Sequence, residues 1–74
     1  MRIRTATDLG LVIRDHRKKL GLDQAALAAQ AAGSRQWIIA IEQGKPRAEI
    51  GLILRTINAL GLWMRVDIGP SSTA

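Results

Sequence analysis

Cysteine is absent from this 74-residue chain, which excludes disulfides, zinc–thiolate centres and a thiol nucleophile. Histidine occurs once, as His16, so a multi-histidine metal site is excluded as well. No run of about 18 uncharged apolar residues exists, and no membrane-crossing helix is expected. The opening Met1-Arg2-Ile3-Arg4-Thr5 lacks the apolar stretch of a secretion signal and is not expected to act as one. Carboxylates are scarce and scattered, at Asp8, Asp15, Asp23, Glu42, Glu49 and Asp67. Three of them serve better as helix caps or ion-pair partners than as acid–base pairs. With no glycine-rich phosphate loop and no base beside Ser34 in sequence, neither an enzyme nor a cofactor is expected. Six acidic against 11 basic residues leave a net charge of +5, which suits nucleic acid, an anionic surface or an acidic protein partner.

What is present is aliphatic. Hydrophobic residues make up 47% of the chain, too many for a disordered tail, and the length fits one domain spanning 1–74. A core of this size supplies only about 3–5 kcal/mol, and without staples oligomerisation is the expected remedy.

Glycines punctuate the sequence. Gly21, Gly33, Gly44 and Gly61 each follow a helical run, where a left-handed residue ends a helix. Thr7, Asp23 and Ser34 stand where N-caps belong, and Glu49 suits the first turn of a fourth helix after Pro46. The spacing predicts four helices, over 8–20, 24–32, 35–43 and 48–60, joined by short loops into one bundle. Their inward stripes are Leu9, Ile13 and Leu20; Leu27, Ala28 and Ala31; Ile38 and Ile41; and Ile50, Ile53, Leu54, Ile57 and Leu60. Gly10 and Gly51 interrupt helices at about 1 kcal/mol each, which a close backbone approach would explain.

After Gly61 the period changes to two. Leu62, Met64, Val66 and Ile68 fall on one face, and Trp63, Arg65 and Asp67 on the other, which predicts a strand over 62–68. A lone strand is not stable. It needs Arg2-Ile3-Arg4, within the N-terminal segment 1–7, or the same strand of a second copy. Residues 69–74 are expected to be a loose tail with no aromatic anchor.

Residues 23–45 read as a short helix, a tight turn at Gly33 and a second short helix, with small Ala28 permitting a close crossing. On the second helix Ser34, Ile38 and Ile41 share one side. Gln36, Ala40 and Gln43 lie opposite with Ile39 nearby, and Arg35 and Trp37 flank the edges. Such a helix fits the DNA major groove. Arg35 can pair with guanine and Gln36 with adenine, each pair contributing about 1–3 kcal/mol of discrimination, while Ile39 and Ala40 can touch thymine methyls. Two of these positions carry a second reading: Ile39 also suits the core or a partner, and Trp37 also suits packing at the helix edge. Gln24 and Ser34 at helix starts, with Lys45 and Arg47 on the following loop, are candidate phosphate anchors. Arg14, Lys18 and Lys19 read by default as a solvated face, and His16 as a boundary residue.

The run Gly21-Leu22-Asp23-Gln24, Leu27-Ala28, Ser34-Arg35-Gln36-Trp37-Ile38 and Ile41-Glu42-Gln43-Gly44-Lys45 resembles the Cro/C1 (XRE) helix-turn-helix family. Gly44-Lys45-Pro46-Arg47-Ala48-Glu49, then Ala59-Leu60-Gly61-Leu62 before a strand, is more similar still to HipB-type antitoxins. The resemblance covers about residues 8–68. It implies a mainly α fold, a four-helix bundle with a C-terminal strand closing an intersubunit β-lid in a homodimer. It also implies a structural ion pair, Arg17–Glu42, and phosphate contacts from the regions of Gln24, Lys45 and Arg47. The implied activity is that of a dimeric antitoxin that reads near-palindromic double-stranded DNA, represses its own operon and neutralises a HipA-like kinase toxin, in the cytoplasm. The family often has polar residues where this chain has Ile39 and Ala40. That departure keeps open a phage-style repressor without a toxin, and an interaction module with little DNA readout. Antiparallel pairing of 62–68 about Val66 would set Arg65 opposite Asp67 of the second copy, a pair contributing about 0.2–1 kcal/mol. Leu11 and Leu52, off the buried stripes, are candidate partner contacts.

Overall fold

The computed structural model describes residues 2–45, 47 and 49–66. It comprises α1 (Ala6–Lys19), α2 (Gln24–Gln30), α3 (Arg35–Glu42) and α4 (Ile50–Ala59). The helix α3 packs on α1 and on α2, and α2 also packs on α4. Ile13, Leu27, Ala28, Ile38, Ile41 and Leu60 form the buried centre, with Leu9, Trp37, Ile53, Ala59 and Leu62 packed around it.

Each of the first three helices opens on a side-chain cap. Thr5 accepts from the Asp8 N–H at 3.1 Å, Asp23 from Ala26 N–H at 2.7 Å and Ser34 from Trp37 N–H at 3.1 Å. Asp8 in turn accepts from the Arg4 N–H at 2.9 Å, tying the entering chain to the first turn. The first cap is therefore Thr5, not Thr7; two threonines one residue apart offer the same hydroxyl, and the earlier one leaves Thr7 free to pack on Gly44. The fourth helix starts at Ile50, with Glu49 as an N-cap that makes no side-chain cap bond rather than a first-turn residue.

All four helices end in the same way, with the residue after the cap bonding back three residues and the next one bonding back five. At α2 these are Ala32 N–H to the Ala29 carbonyl at 3.3 Å and Gly33 N–H to the Ala28 carbonyl at 2.8 Å. Three of these turns put glycine in the left-handed position, at Gly21, Gly44 and Gly61. At the α2–α3 turn that position belongs to Ala32, with φ +55°, and not to Gly33 as the sequence suggests. A Cβ at Gly33 would lie 3.4 Å from the Trp37 ring and 3.9 Å from Leu52, ordinary contact distances, so neither backbone angle nor space requires glycine there. Alanine held left-handed costs about 1–2 kcal/mol, so Ala32→Gly is expected to stabilise the domain by about 1 kcal/mol. For a domain of this size that corresponds to roughly 4–8 °C in Tm by thermal unfolding, and an unchanged Tm would refute the strain.

The inward stripes hold for α2 and α3, where Leu27, Ala28, Ala31, Ile38 and Ile41 are all buried. They fail in part on the others. Leu20, Ile50 and Leu54 are exposed, whereas Arg17 and Thr56 are buried. Thr56 reaches full burial because its hydroxyl donates to the Leu52 carbonyl at 2.8 Å, leaving no unpaired polar atom inside. Leu52 lies at the α2–α3 turn, while Leu11 is exposed.

No strand is present among the described residues. Arg2-Ile3-Arg4 is irregular, and so is Leu62 to Val66; Asp67, Ile68 and the 69–74 tail lie outside the described residues. Among the described residues this segment has no neighbouring strand to complete a ladder. Leu62 packs on the core, but Trp63 is 94% and Val66 91% exposed, so the two predicted faces are not distinguished in the single chain.

Candidate nucleic-acid interface

The placement of α3 rests on α1 at three points. Ile38 and Ile41 enter the core. At Gly10 the backbones of α1 and α3 touch: a Cβ built there would overlap the Ile41 carbonyl oxygen and lie 2.9 Å from that of Glu42. At the far end Gly44 meets Thr7, and a Cβ on Gly44 would lie 2.6 Å from the Thr7 hydroxyl. Gly10 thus has the close approach expected of a helix-interior glycine. Gly51 does not, with its nearest neighbour atom at 3.6 Å.

An ion pair locks the same joint. Arg17 Nε donates to Glu42 Oε2 at 2.7 Å and Nη2 to Oε1 at 3.0 Å, in a fork geometry, with side-chain exposures of 11% and 5%. Arg17 Nη1 also donates to the Leu22 carbonyl at 2.9 Å. The hydrogen bonds to Glu42 hold the guanidinium above its ordinary range against the opposing effect of burial, and the charges of Glu42 and Asp23 add to the rise. On the other side of the motif Arg55 Nε donates to the Ala31 carbonyl at 2.9 Å, satisfying an orphan at the end of α2. Nothing in the sequence pattern marks Arg55 for that role.

With its inner side so held, α3 presents Arg35, Gln36 and Gln43 as exposed residues. Ile39 and Ala40 are half-buried. Trp37, for which the sequence offers both a base contact and edge packing, turns its ring to Gly33 and packs against the core. Ser34 uses its oxygen to cap α3, and its hydroxyl hydrogen remains able to donate outward. Lys45 and Arg47 are exposed beyond the helix end. Gln24 is half-buried and donates to Glu42 Oε1 at 3.2 Å, so its amide braces the ion pair as well as facing outward.

An open groove of about 540 Å³ runs between α1, the start of α2 and the outer side of α3. Arg35, Ile39 and Gln43 form its α3 wall at successive turns, and Arg14 and Lys18 its α1 wall. Its two carboxylates are occupied, Glu42 by Arg17 and Asp23 by the α2 cap. Reading α1 by itself makes Arg14 and Lys18 a solvated face; only the packing of α1 beside α3 brings them to the groove. His16 is a half-buried boundary residue with Nδ1 3.1 Å from the Val12 carbonyl oxygen. Among the described residues there is no His/Cys/Asp/Glu cluster able to hold a metal ion, and no helix long and apolar enough to cross a membrane.

A family model described as a helix-turn-helix domain matches residues 8–68. An uncharacterised HTH-type transcriptional regulator of Sinorhizobium fredii, y4mF, is 40% identical over 60 residues, covering 81% of this chain and 79% of that protein. Another HTH-type transcriptional regulator, from Methanothermobacter thermautotrophicus, is 46% identical over 50 residues, covering 68% and 72% of the two chains. The crystal structure of the restriction-modification controller protein C.AhdI from Aeromonas hydrophila superposes with a TM-score of 0.72 at 26% identity, covering 78% of this chain and 84% of that one. A basic four-helix domain with a braced outer helix and this set of relatives belongs to the Cro/C1-type helix-turn-helix family of transcriptional regulators, a non-enzymatic, DNA-binding family.

Proposed function

We propose that this chain is a homodimeric, sequence-specific repressor of its own operon and the antitoxin of a HipA-like kinase. The observation that carries the DNA half is the bracing of α3, which leaves Arg35 and Gln36 exposed at its N-terminal end, the end that reaches base edges when such a helix enters the major groove. In this reading Arg35 pairs with guanine and Gln36 with adenine, and Ile39 and Ala40 meet thymine methyls. Trp37 supports the helix edge beside them. Ser34, Gln24, Lys45 and Arg47 hold phosphates and set the register. Dimerisation is supported by apolar residues that are exposed among the described residues, Ile50 and Leu54 on α4 and Trp63, Met64 and Val66 after it. Pairing of 62–68 between two copies would bury part of that surface and close the strand edge. The antitoxin half rests on the resemblance of the Ser34–Ile38 and Gly44–Glu49 segments to HipB-type proteins.

The test is selection from a random duplex pool, with the Arg35→Ala/Gln36→Ala double variant as control. The wild type is expected to enrich a near-palindrome with half-site centres about 34–36 Å apart. Each lost bidentate pair should cost roughly 5- to 150-fold in discrimination. Failure of the wild type to enrich any sequence, with residual binding that only follows salt, would make the motif a scaffold for a protein partner. For the antitoxin half, a kinase-type toxin encoded in the same operon is expected to co-elute on co-expression, and an operon without one overturns that half alone. The second reading, a regulator without a toxin, is favoured by the structural likeness to a restriction-modification controller.

A further inference from the structure

We infer that Arg14 and Lys18 form a second phosphate-gripping wall on α1, facing Arg35 across the groove beside α3. The inference rests on the DNA-binding reading and adds a strand contact that the motif itself does not supply.

Three observations converge. Arg14 and Lys18 are four residues apart, so both project from one side of α1, and both line the groove. The α3 wall opposite is Arg35, Ile39 and Gln43, again one face of a helix. The groove is therefore flanked by three cations besides the paired Arg17, with the aliphatic Ile39 on the α3 wall. Arg14, Lys18 and Arg35 form no ion pair among the described residues, because Glu42 is held by Arg17 and Asp23 caps α2. Lys19, the neighbouring cation, differs: it pairs with Asp15 at 3.2 Å and lies outside the groove. Exposed, unpaired cations at two successive turns match a polyanion with regularly spaced charges. The occupant that fits is the sugar–phosphate backbone at the rim of the major groove that α3 enters.

Charge of this kind positions the protein without reading sequence, so its signature is salt dependence. The operator recovered by selection is titrated with wild type, Arg14→Gln, Lys18→Gln and Lys19→Gln over a range of salt, and log K is plotted against log[salt]. Each phosphate contact removed is expected to flatten the slope by about 0.9, hence about 1.8 for a dimer carrying the substitution twice. Arg14→Lys should keep the wild-type slope. The base preference should stay unchanged in Arg14→Gln and Lys18→Gln, and Lys19→Gln should behave like wild type. All three positions are exposed, and circular dichroism checks that the variants fold. If Arg14→Gln and Lys18→Gln are indistinguishable from Lys19→Gln while wild type binds its operator, the α1 wall is refuted and the DNA reading stands. If wild type binds no DNA, both fall together.

Discussion

Gly10→Ala is expected to unfold this domain, or nearly so, although the same exchange in an ordinary helix interior stabilises by about 1 kcal/mol. The methyl would overlap the Ile41 carbonyl oxygen and press on that of Glu42. These are backbone atoms of α3 and cannot rotate aside. Relief requires α1 and α3 to separate, which loosens Ile13, Ile38 and Ile41 together. Overpacking typically costs about 1–3 kcal/mol where side chains can adjust, and the rigid obstacle here puts the expected cost at about 3 kcal/mol or more. A domain of this size has only about 3–5 kcal/mol in total. Urea unfolding is expected to show the midpoint collapsing toward zero. Gly51→Ala is the matched control: its Cβ would find only the ends of Glu49 and Arg55 side chains at 3.6 and 4.0 Å, and it should gain stability. A Gly10→Ala midpoint equal to wild type would mean that α3 is not held at this crossing.

The contrast between the two glycines bears on what a sequence can disclose. Both interrupt a helix, and both suggest a close approach, yet only Gly10 has one. The difference lies in which element passes by, and that is a property of the packed bundle. Features set by local chemistry were legible: the number and order of helices, the caps at Asp23 and Ser34, and the buried pairs on α2 and α3. Features set by a distant partner were not. Leu20 has the spacing of a core residue but stays exposed, and Thr56 looks polar until its hydroxyl finds the Leu52 carbonyl. Arg55 ends up on the Ala31 carbonyl, 24 residues away in sequence. Ala32 takes the left-handed position because the turn geometry fixes the site one residue before the glycine. The alternation over 62–68 did not yield a strand among the described residues, where 62–66 are irregular. For the site, Gln36 and Gln43 are exposed as the periodicity of α3 sets them, while Ala40 and Ile39 are half-buried; the commitment of Gln24 to Glu42 and the α1 wall of the groove arise only when the helices are assembled.

The second large effect concerns the Arg17–Glu42 pair. Arg17→Met or Glu42→Leu alone is expected to cost about 3–5 kcal/mol, because either leaves a charge stranded in a nearly closed site. Removal of Glu42 orphans Arg17 Nε and Nη2 and the Gln24 amide; removal of Arg17 orphans Glu42 Oε2 and the Leu22 carbonyl and leaves Glu42 Oε1 with the Gln24 amide alone. Together, Arg17→Met/Glu42→Leu should recover most of the loss, since neutral side chains of similar size often replace a buried pair at little cost. The unmatched Leu22 carbonyl should keep the double variant about 1–3 kcal/mol below wild type. A coupling of at least about 3 kcal/mol is therefore expected from the cycle, read by urea unfolding. Titration cannot replace the substitutions on the arginine side. The raised Arg17 value means that its contribution is fully present below the ordinary arginine range and is lost only as pH climbs through the folded value, above any working condition. Operator binding should follow the fold: absent in the single variants at 37 °C and returning in the double, because Gly10, Ile38 and Ile41 still set α3 against α1. Single variants within about 1 kcal/mol of wild type, the range typical of an exposed pair, would show that the joint is held by packing alone and that the ion pair is incidental to the placement of α3.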